Sequence, residues 1–509
     1  MNSQTRAAAY EGWRRERLGV FAGLTGWQAT TVGLLVLPLL VAMGRSRWLQ
    51  VAELLPLTCV AVALVAVPVR GRSAARWLAD VALFHLGRVA GWSSWRSNAA
   101  TGAATPDELA HPDLPGVIAG LRTHQGPPFG PAGTRVCIVQ DTRAGRWSAT
   151  ARLSHPGVAA ADEATRDAYA TELGDLLAAA ADTEQIAALS LLIRTVPDDG
   201  AERAAWVGEH EVPGAPDLVT RAGRALEASV TSASVRHEVF VTVAAAESRI
   251  RRTARDAGGG AAGRARVLYR FLGELEQRLR ATGVTDITWL DASSLAAATR
   301  TGYNPADAAG LARASHAARR RERVSTGTLT GASGPAAAPP PNARSYTHDA
   351  FTTVSYALLL PKRPTTVGAL ARVLAPATVG ERRCLALHYE PLPPRRADRQ
   401  IDRDAWAAEL AVDVKAKRGF RVPRRDRKRV SEVAEQESQL ARGHSLVRVA
   451  GAAAVTVPAG TGVEDAAASL EGSARAAGFQ LLRLDLAQDS GFVAAVLPLG
   501  VGLPKRGDH

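Results

Sequence analysis

Three histidines in this chain stand beside groups able to share a proton with them: His348 with Asp349, His388 with Tyr389 and Glu390, and His444 with Ser445. An imidazole held near a carboxylate or hydroxyl is the raw material of general acid–base catalysis. Each of the three falls at the edge of an expected strand, where a capped or solvated role is the ordinary one, so no catalytic residue is assigned. Complete signatures are missing as well. No G-x-x-x-x-G-K-[ST] occurs, and Gly258 to Gly260 lack the lysine and the strand–loop–helix setting of a phosphate loop. H-E-x-x-H and G-x-S-x-G are also absent. The chain alone is therefore not read as a P-loop ATPase, and neither a cofactor nor a metal site is assigned. Cys59, Cys137 and Cys384 give no disulfide framework and no C-x-x-C pair, as expected in a reducing cytoplasm.

Charge supplies a second candidate chemistry. The chain has 509 residues, too many for one ordinary core, and a formal charge of +13. Lysine is confined to positions 362, 415, 417, 428 and 505, so arginine carries that charge. Six of the nine positions from 421 to 429 are basic: Arg421, Arg424, Arg425, Arg427, Lys428 and Arg429. Such a run suits an anionic partner, whether lipid, nucleic acid or an acidic protein face. The competing reading is a solvated helix face, because Asp398, Asp402, Asp404, Glu409, Asp413 and Asp426 are interspersed and no aromatic is interleaved as in single-strand nucleic-acid grooves.

The elements that would position these groups begin with an uncharged run from Leu18 to Gly44, followed after Arg45, Ser46 and Arg47 by a second apolar run from Trp48 to Val69. Each is long enough to cross a hydrocarbon core of about 30 Å. The expectation is a transmembrane helical hairpin over 25–69 behind a basic tail, 1–24. Pro38, Pro56 and Pro68 are tolerable in spans. Trp27 and Trp48 sit where indoles favour the interface, and Arg45, Arg47, Arg70 and Arg72 flank the spans as anchors. Arg6, Arg14, Arg15 and Arg17 before the hairpin, with Arg70, Arg72 and Arg76 after it, outweigh the loop arginines. Both termini are thus expected in the cytoplasm of a multi-pass plasma-membrane protein. Glu53 lies near the loop end of its span. Residues 70–97, with Trp77 and His85, read as an interfacial amphipathic helix.

Beyond this, Pro and Gly mark 98–134 as a linker. The fold class expected is α+β, with a large cytoplasmic mixed region of partly antiparallel sheets in two parts, 135–324 and 346–509, separated by a Pro/Gly-rich linker or loop at 325–345. Alternation places strands at 136–140 and 147–153 around a turn, then at 186–196, 235–243 and 287–291. Asp162 caps a helix running to Ala181, and further helices cover 216–229 and 264–281. In the second part, strands are expected at 351–360 and 383–390 as mutual partners, followed by charged helices over 395–443. A β-α-β unit from His444 onward closes the chain.

The layout of this hairpin, then YTHDAFTTVSYALLLPKRPTTVGALARVLAP, ARGHSLVRV and a closing AQDSGFVAAVLPLG, resembles a family of actinobacterial integral membrane proteins that occur beside the ATPase of conjugation-like, type IV secretion systems. The matching residues include Gln488, Asp489, Phe492, Pro498 and Leu499, the segment Tyr346 to Phe351, and Gly443 with His444. The resemblance implies a non-catalytic scaffold that docks a separate P-loop ATPase and other membrane subunits in a homo- or hetero-oligomer. RWSATARLS at 146–154 is similar to the E component of type VII secretion, which shares the two-span design. A membrane-anchored enzyme and a DNA-binding membrane protein are the readings of other classes.

Overall fold

The computed structural model describes residues 9–10, 26–69, 72–105, 108–158, 161–197, 206–208, 210, 212, 214–231, 235–320, 330–361, 365–366, 368–378, 380–417 and 424–503. The chain divides into two compact units, one made of 1–11, 91–392 and 447–509, the other of 12–90 and 393–446. The smaller unit opens with α1 (Gly26–Gly44), α2 (Trp48–Ala66) and α3 (Ala74–Val89). Among the described residues only α2 is both long and apolar enough to cross a membrane; in α1 the apolar helical stretch is the shorter Thr30–Gly44. Ser73 caps α3 by accepting from the Arg76 amide.

In chain order the larger unit then forms β1 (Leu121–Phe129), β2 (Thr134–Asp141), β3 (Arg146–Ser154), α4 (Glu163–Asp182), β4 (Ile186–Pro197), α5 (Asp217–Thr231) and β5 (Val235–Ala246). After these come α6 (Glu247–Asp256), α7 (Gly260–Ala281), β6 (Asp286–Trp289), α8 (Ala292–Tyr303) and α9 (Ala308–Arg320). Three strands follow, β7 (Tyr346–His348), β8 (Phe351–Leu359) and β9 (Arg382–Pro391). The chain next enters the smaller unit as α10 (Pro394–Lys417) and α11 (Arg424–Ala441), which share the apolar contacts of Ile401, Ala408 and Val433. It returns as β10 (Val447–Pro458), α12 (Val463–Ala476), β11 (Gln480–Arg483) and α13 (Gln488–Val496).

These eleven strands form one antiparallel sheet, in the order β7-β8-β10-β9-β4-β5-β3-β2-β1, with β6 paired to β3 and β11 to β8; the other strands among the described residues are two-residue pairs. The alternation in the sequence resolves into two buried faces. On one face Cys137, Leu192, Phe240, Cys384, Ala452 and Ala454 pack under α8 and α13. On the other, Val136, Ile138, Ala149 and Val243 meet α4, α6 and α7, while Val354, Tyr356 and Val455 meet α12. Helix α13 is buried almost throughout, which explains why QDSGFVAAV has no polar stripe.

The mixed helix and antiparallel-sheet class agrees with expectation, as do the hairpin of β2 and β3, the Asp162 cap (Oδ1 2.8 Å from the Thr165 amide) and the closing β-α-β, in which β8 lies between β10 and β11. Several expectations are corrected. Residues 98–134 are not simply a linker: β1 is an edge strand there, and Pro127 and Pro128 fit because the pairing shifts register between Gln125 and Pro128 at an edge that needs no further partner. The two strands expected to pair, β8 and β9, instead flank β10. Pairing of β9 with β4 joins strands from 135–324 and 346–509 into the single sheet. Residues 325–329 lie outside the described set, but 330–345 is folded against the core, with Ser333 and Ala338 buried and Ala337–Ala338 paired to Trp95–Arg96. The helix expected over 70–97 begins at Ala74 and stops at Val89, where Ala90 caps it and Gly91 takes φ +74; Trp95 is tucked against the core beside Phe492's cluster.

Candidate interaction surfaces

Two of the three histidines, His348 and His388, are not at solvated strand edges. His348 is fully buried, its imidazole packed on Phe492 at 4.4 Å between ring centroids. Its Nδ1–H donates to the Tyr303 carbonyl at 2.6 Å, which leaves Nε2 to accept from Thr353 Oγ1 at 2.8 Å. Thr353 in turn accepts from Thr456 Oγ1 at 2.8 Å, and Thr456 from Arg382 Nη2 at 3.4 Å. A carbonyl can only accept, so the Tyr303 end fixes the direction of the whole chain of bonds through the neutral imidazole, and Arg382, which can only donate, agrees with it. Burial, reinforced by Arg382 and Arg300, pulls the His348 pKa down to about 3 against the opposing bond to Tyr303. Asp349 accepts from the Ala336 and Ala337 amides at 2.7 and 3.2 Å and pairs with Arg300 at 2.9 Å, closing the β7–β8 turn rather than activating its neighbour.

His388 lies on the same sheet face in β9. Its Nε2–H donates to the Ala494 carbonyl at 3.0 Å and its Nδ1 accepts from Ser190 Oγ at 2.8 Å. The Ala494 carbonyl belongs to the last turn of α13, where four carbonyls have no partner within the helix. The sheet answers other polar groups of the same segment: Thr150 Oγ1 donates to the Pro498 carbonyl at 2.9 Å, and Gln488 exchanges bonds with both backbone groups of Ser355. Gln488, Phe492, Pro498 and Leu499, prominent in the sequence pattern, are thus docking residues of a buried helix. Burial also pushes the His388 pKa below its ordinary value. His444, by contrast, is exposed in the turn after α11.

Sequence reasoning passed over the buried arginines. Arg194, Arg382 and Arg383 are all completely enclosed. Arg194 pairs with Glu238 at 2.7 Å and donates to the Ala298 carbonyl; Arg383 pairs with Glu381 at 2.5 Å and reaches Ser469 and Ser473; Arg382 donates to the Thr301 and Gly302 carbonyls. Burial pushes the Glu238 carboxyl up, but Arg194, Arg152 and Arg236 outweigh it and hold the pKa at about 2. The signal was a charge inside an apolar strand: Arg194 in IAALSLLIRTV, and Arg382 and Arg383 at the head of RRCLALHY. Among the described residues no group of three or more His, Cys, Asp or Glu is placed to hold a metal ion.

The surface offers apolar, acidic and basic features. No residue of α2 is buried. Between β4 and β5 the chain makes a long excursion that carries α5, whose Leu218, Val219 and Leu226 are 71 %, 60 % and 65 % exposed. Their spacing, with Ala222, puts them on one face of the helix. From Asp198 to Ser234 seven carboxylates stand against three arginines, a net charge of −4 within a chain of +13. The signal was present in the sequence as DLVTRAGRALEASV, but a helical stripe does not say whether a core covers it.

The remaining expected residues are placed as follows. Arg45 and Arg47 are exposed in the connection between α1 and α2, Trp48 is exposed at the start of α2, and Glu53 is exposed one turn on. Trp27 is within α1 and Arg72 within a two-residue strand; the side chains of both, and all of Arg70 and Arg421, lie outside the described residues. Arg424, Arg427 and Lys428 are exposed in the first turns of α11, which also contains Arg425 and Arg429. The cations gather at the helix end whose dipole is itself positive, an arrangement that favours an anion nearby. Comparison with protein-family models finds no match, and none of the curated proteins matches the chain.

Proposed function

We propose that this chain is a non-catalytic inner-membrane scaffold subunit of a conjugation-like, type IV secretion machine, docking a separate P-loop ATPase. The observation that carries the reading is the contrast between its interior and its surface. His348, Asp349 and His388 are committed to buried structural bonds, whereas the exposed features are an uncovered apolar helix, α2, and an apolar stripe on α5, which an acidic excursion carries. Uncovered apolar area of this kind marks membrane or partner contact. In this reading α1 and α2 form the transmembrane hairpin, α3 lies along the cytoplasmic interface, and both termini are cytoplasmic in a multi-pass plasma-membrane protein. The acidic excursion binds a basic face of the ATPase or of a neighbouring membrane subunit, and the arginines of α11 face acidic lipid. The sequence resemblance to the actinobacterial type IV family supports the assignment.

The test is a mild-detergent pull-down of the tagged full-length chain with mass spectrometry of its companions, repeated with L218E/L226E. Recovery of a type IV P-loop ATPase from the wild type and its loss from the variant is the expected result. Recovery of type VII components instead would move the chain to the E-like alternative. A partner-free monomer would reject the scaffold reading.

A further inference from the structure

We propose that the turn joining α1 and α2 is a binding site for one anionic phospholipid. The proposal rests on the membrane-hairpin reading above and deepens it. A crevice of about 260 Å³ opens here, walled by Leu37, Pro38 and Ala42 of α1 and by Leu54 of α2, with Arg45 and Arg47 at its rim. Its origin is visible in the residue types. Ala42 lies one helical turn beyond Pro38, so two small side chains follow one another on the same stripe where leucines would fill the space between helices. Pro38 also lacks the amide that would bond the carbonyl one turn before it.

The rim is held by the backbone. The Arg45 amide donates to the Val41 carbonyl at 3.1 Å, and the Arg47 amide to the Ala42 carbonyl at 3.1 Å, with Ser46 between them at φ +55. This is the pattern of a helix closed by a left-handed residue, and it fixes two guanidinium-bearing positions on either side of one turn. From Leu37 to Gly44 the helix rises about 10 Å at 1.5 Å per residue, so the crevice runs from the headgroup level into the acyl region. An apolar channel of that depth with two arginines at its mouth matches a phospholipid, whose phosphate takes bidentate bonds from guanidinium and whose chain fills the channel. The volume is below the roughly 300 Å³ at which enclosed small-molecule pockets begin, and a groove open to the bilayer needs to hold only a segment of one acyl chain.

The experiment uses full-length protein in mild detergent and native mass spectrometry, with phosphatidylglycerol and phosphatidylcholine added in separate titrations. The expected result is retention of one phosphatidylglycerol per chain, weakened at least tenfold in R45Q/R47Q and in the groove-filling A42F, with phosphatidylcholine retained no better than by the variants. Inorganic phosphate in excess should not displace the lipid, since the acyl contacts are then missing. Equal retention by wild type and R45Q/R47Q, equal retention of the two lipids, or displacement by phosphate would overturn the site. Carbonate extraction of membranes separates the two readings: a chain that resists extraction yet retains no phosphatidylglycerol refutes the lipid site alone, whereas a chain that is extracted refutes the hairpin and the site with it. Thermal unfolding of R45Q/R47Q in the same detergent should match the wild type, because both arginines are exposed.

Discussion

His388 and Ser190 are direct cross-strand partners in β9 and β4, their Nδ1 and Oγ 2.8 Å apart, and the same imidazole holds the Ala494 carbonyl from its other nitrogen. One residue thereby ties the centre of the sheet to the helix that covers it. His388→Ala would leave the carbonyl and the hydroxyl buried without this partner and open a cavity. A loss of about 2–4 kcal/mol is expected, read as a lower denaturation midpoint at unchanged slope. A loss below about 0.5 kcal/mol would mean that α13 is held by its apolar contacts alone.

The fold should be labile to acid, in two overlapping stages. An unfolded imidazole takes up a proton near pH 6.5, while folded His348 resists until about 3. Its depressed pKa therefore contributes stability that is full above about 6.5 and is lost as pH falls toward 3. Glu238 contributes above its unfolded value of 4.5 and loses that contribution as pH falls to about 2. Melting temperature measured from pH 8 to 3 should decline progressively below about 6.5, and His348→Gln should flatten the upper part of that decline. A profile unchanged in the variant would refute the assignment.

Glu238 compensates Arg194, which no solvent reaches. Glu238→Gln keeps the shape but strands the charge, and breaking a buried pair from one side costs about 3–5 kcal/mol. By comparison, removing Glu432, 51 % exposed, from its pair with Lys428, 77 % exposed, should change stability by less than about 0.5 kcal/mol. Chemical denaturation of both variants checks the contrast.

At Gly491 α13 packs tightly against the sheet. An added Cβ would stand 2.8 Å from Ser355 Cβ and 2.6 Å from Leu484 Cδ1. Gly491→Ala should therefore destabilise by about 1–3 kcal/mol through overpacking, even though alanine favours helix. Gly472, in α12 with open space around its Cα, gives the control: Gly472→Ala is expected to stabilise by up to about 1 kcal/mol.

Local pattern carried much of this fold. Alternation in VCIVQ, WSATARL and the run from Ile186, and the cap at Asp162, depend on neighbours within a few residues, so strands β2, β3 and β4 and helix α4 were legible directly. The helix over 216–229 was legible too, as α5. Contacts between distant segments were not: β10 enters between β8 and β9, β9 joins β4, and proline-rich 121–129 becomes an edge strand. The roles of the histidines changed for the same reason. His348 and His388 look like accessible bases beside Asp349 and Glu390 in sequence, yet their protons are committed to Tyr303 and Ala494, 45 and 106 residues away. Residue type and spacing determine which groups can ionise and which segments can be strand or helix. Only the closing of the sheet beneath α13 decides which of those groups lose their water, because burial is set by segments that the local sequence does not contain.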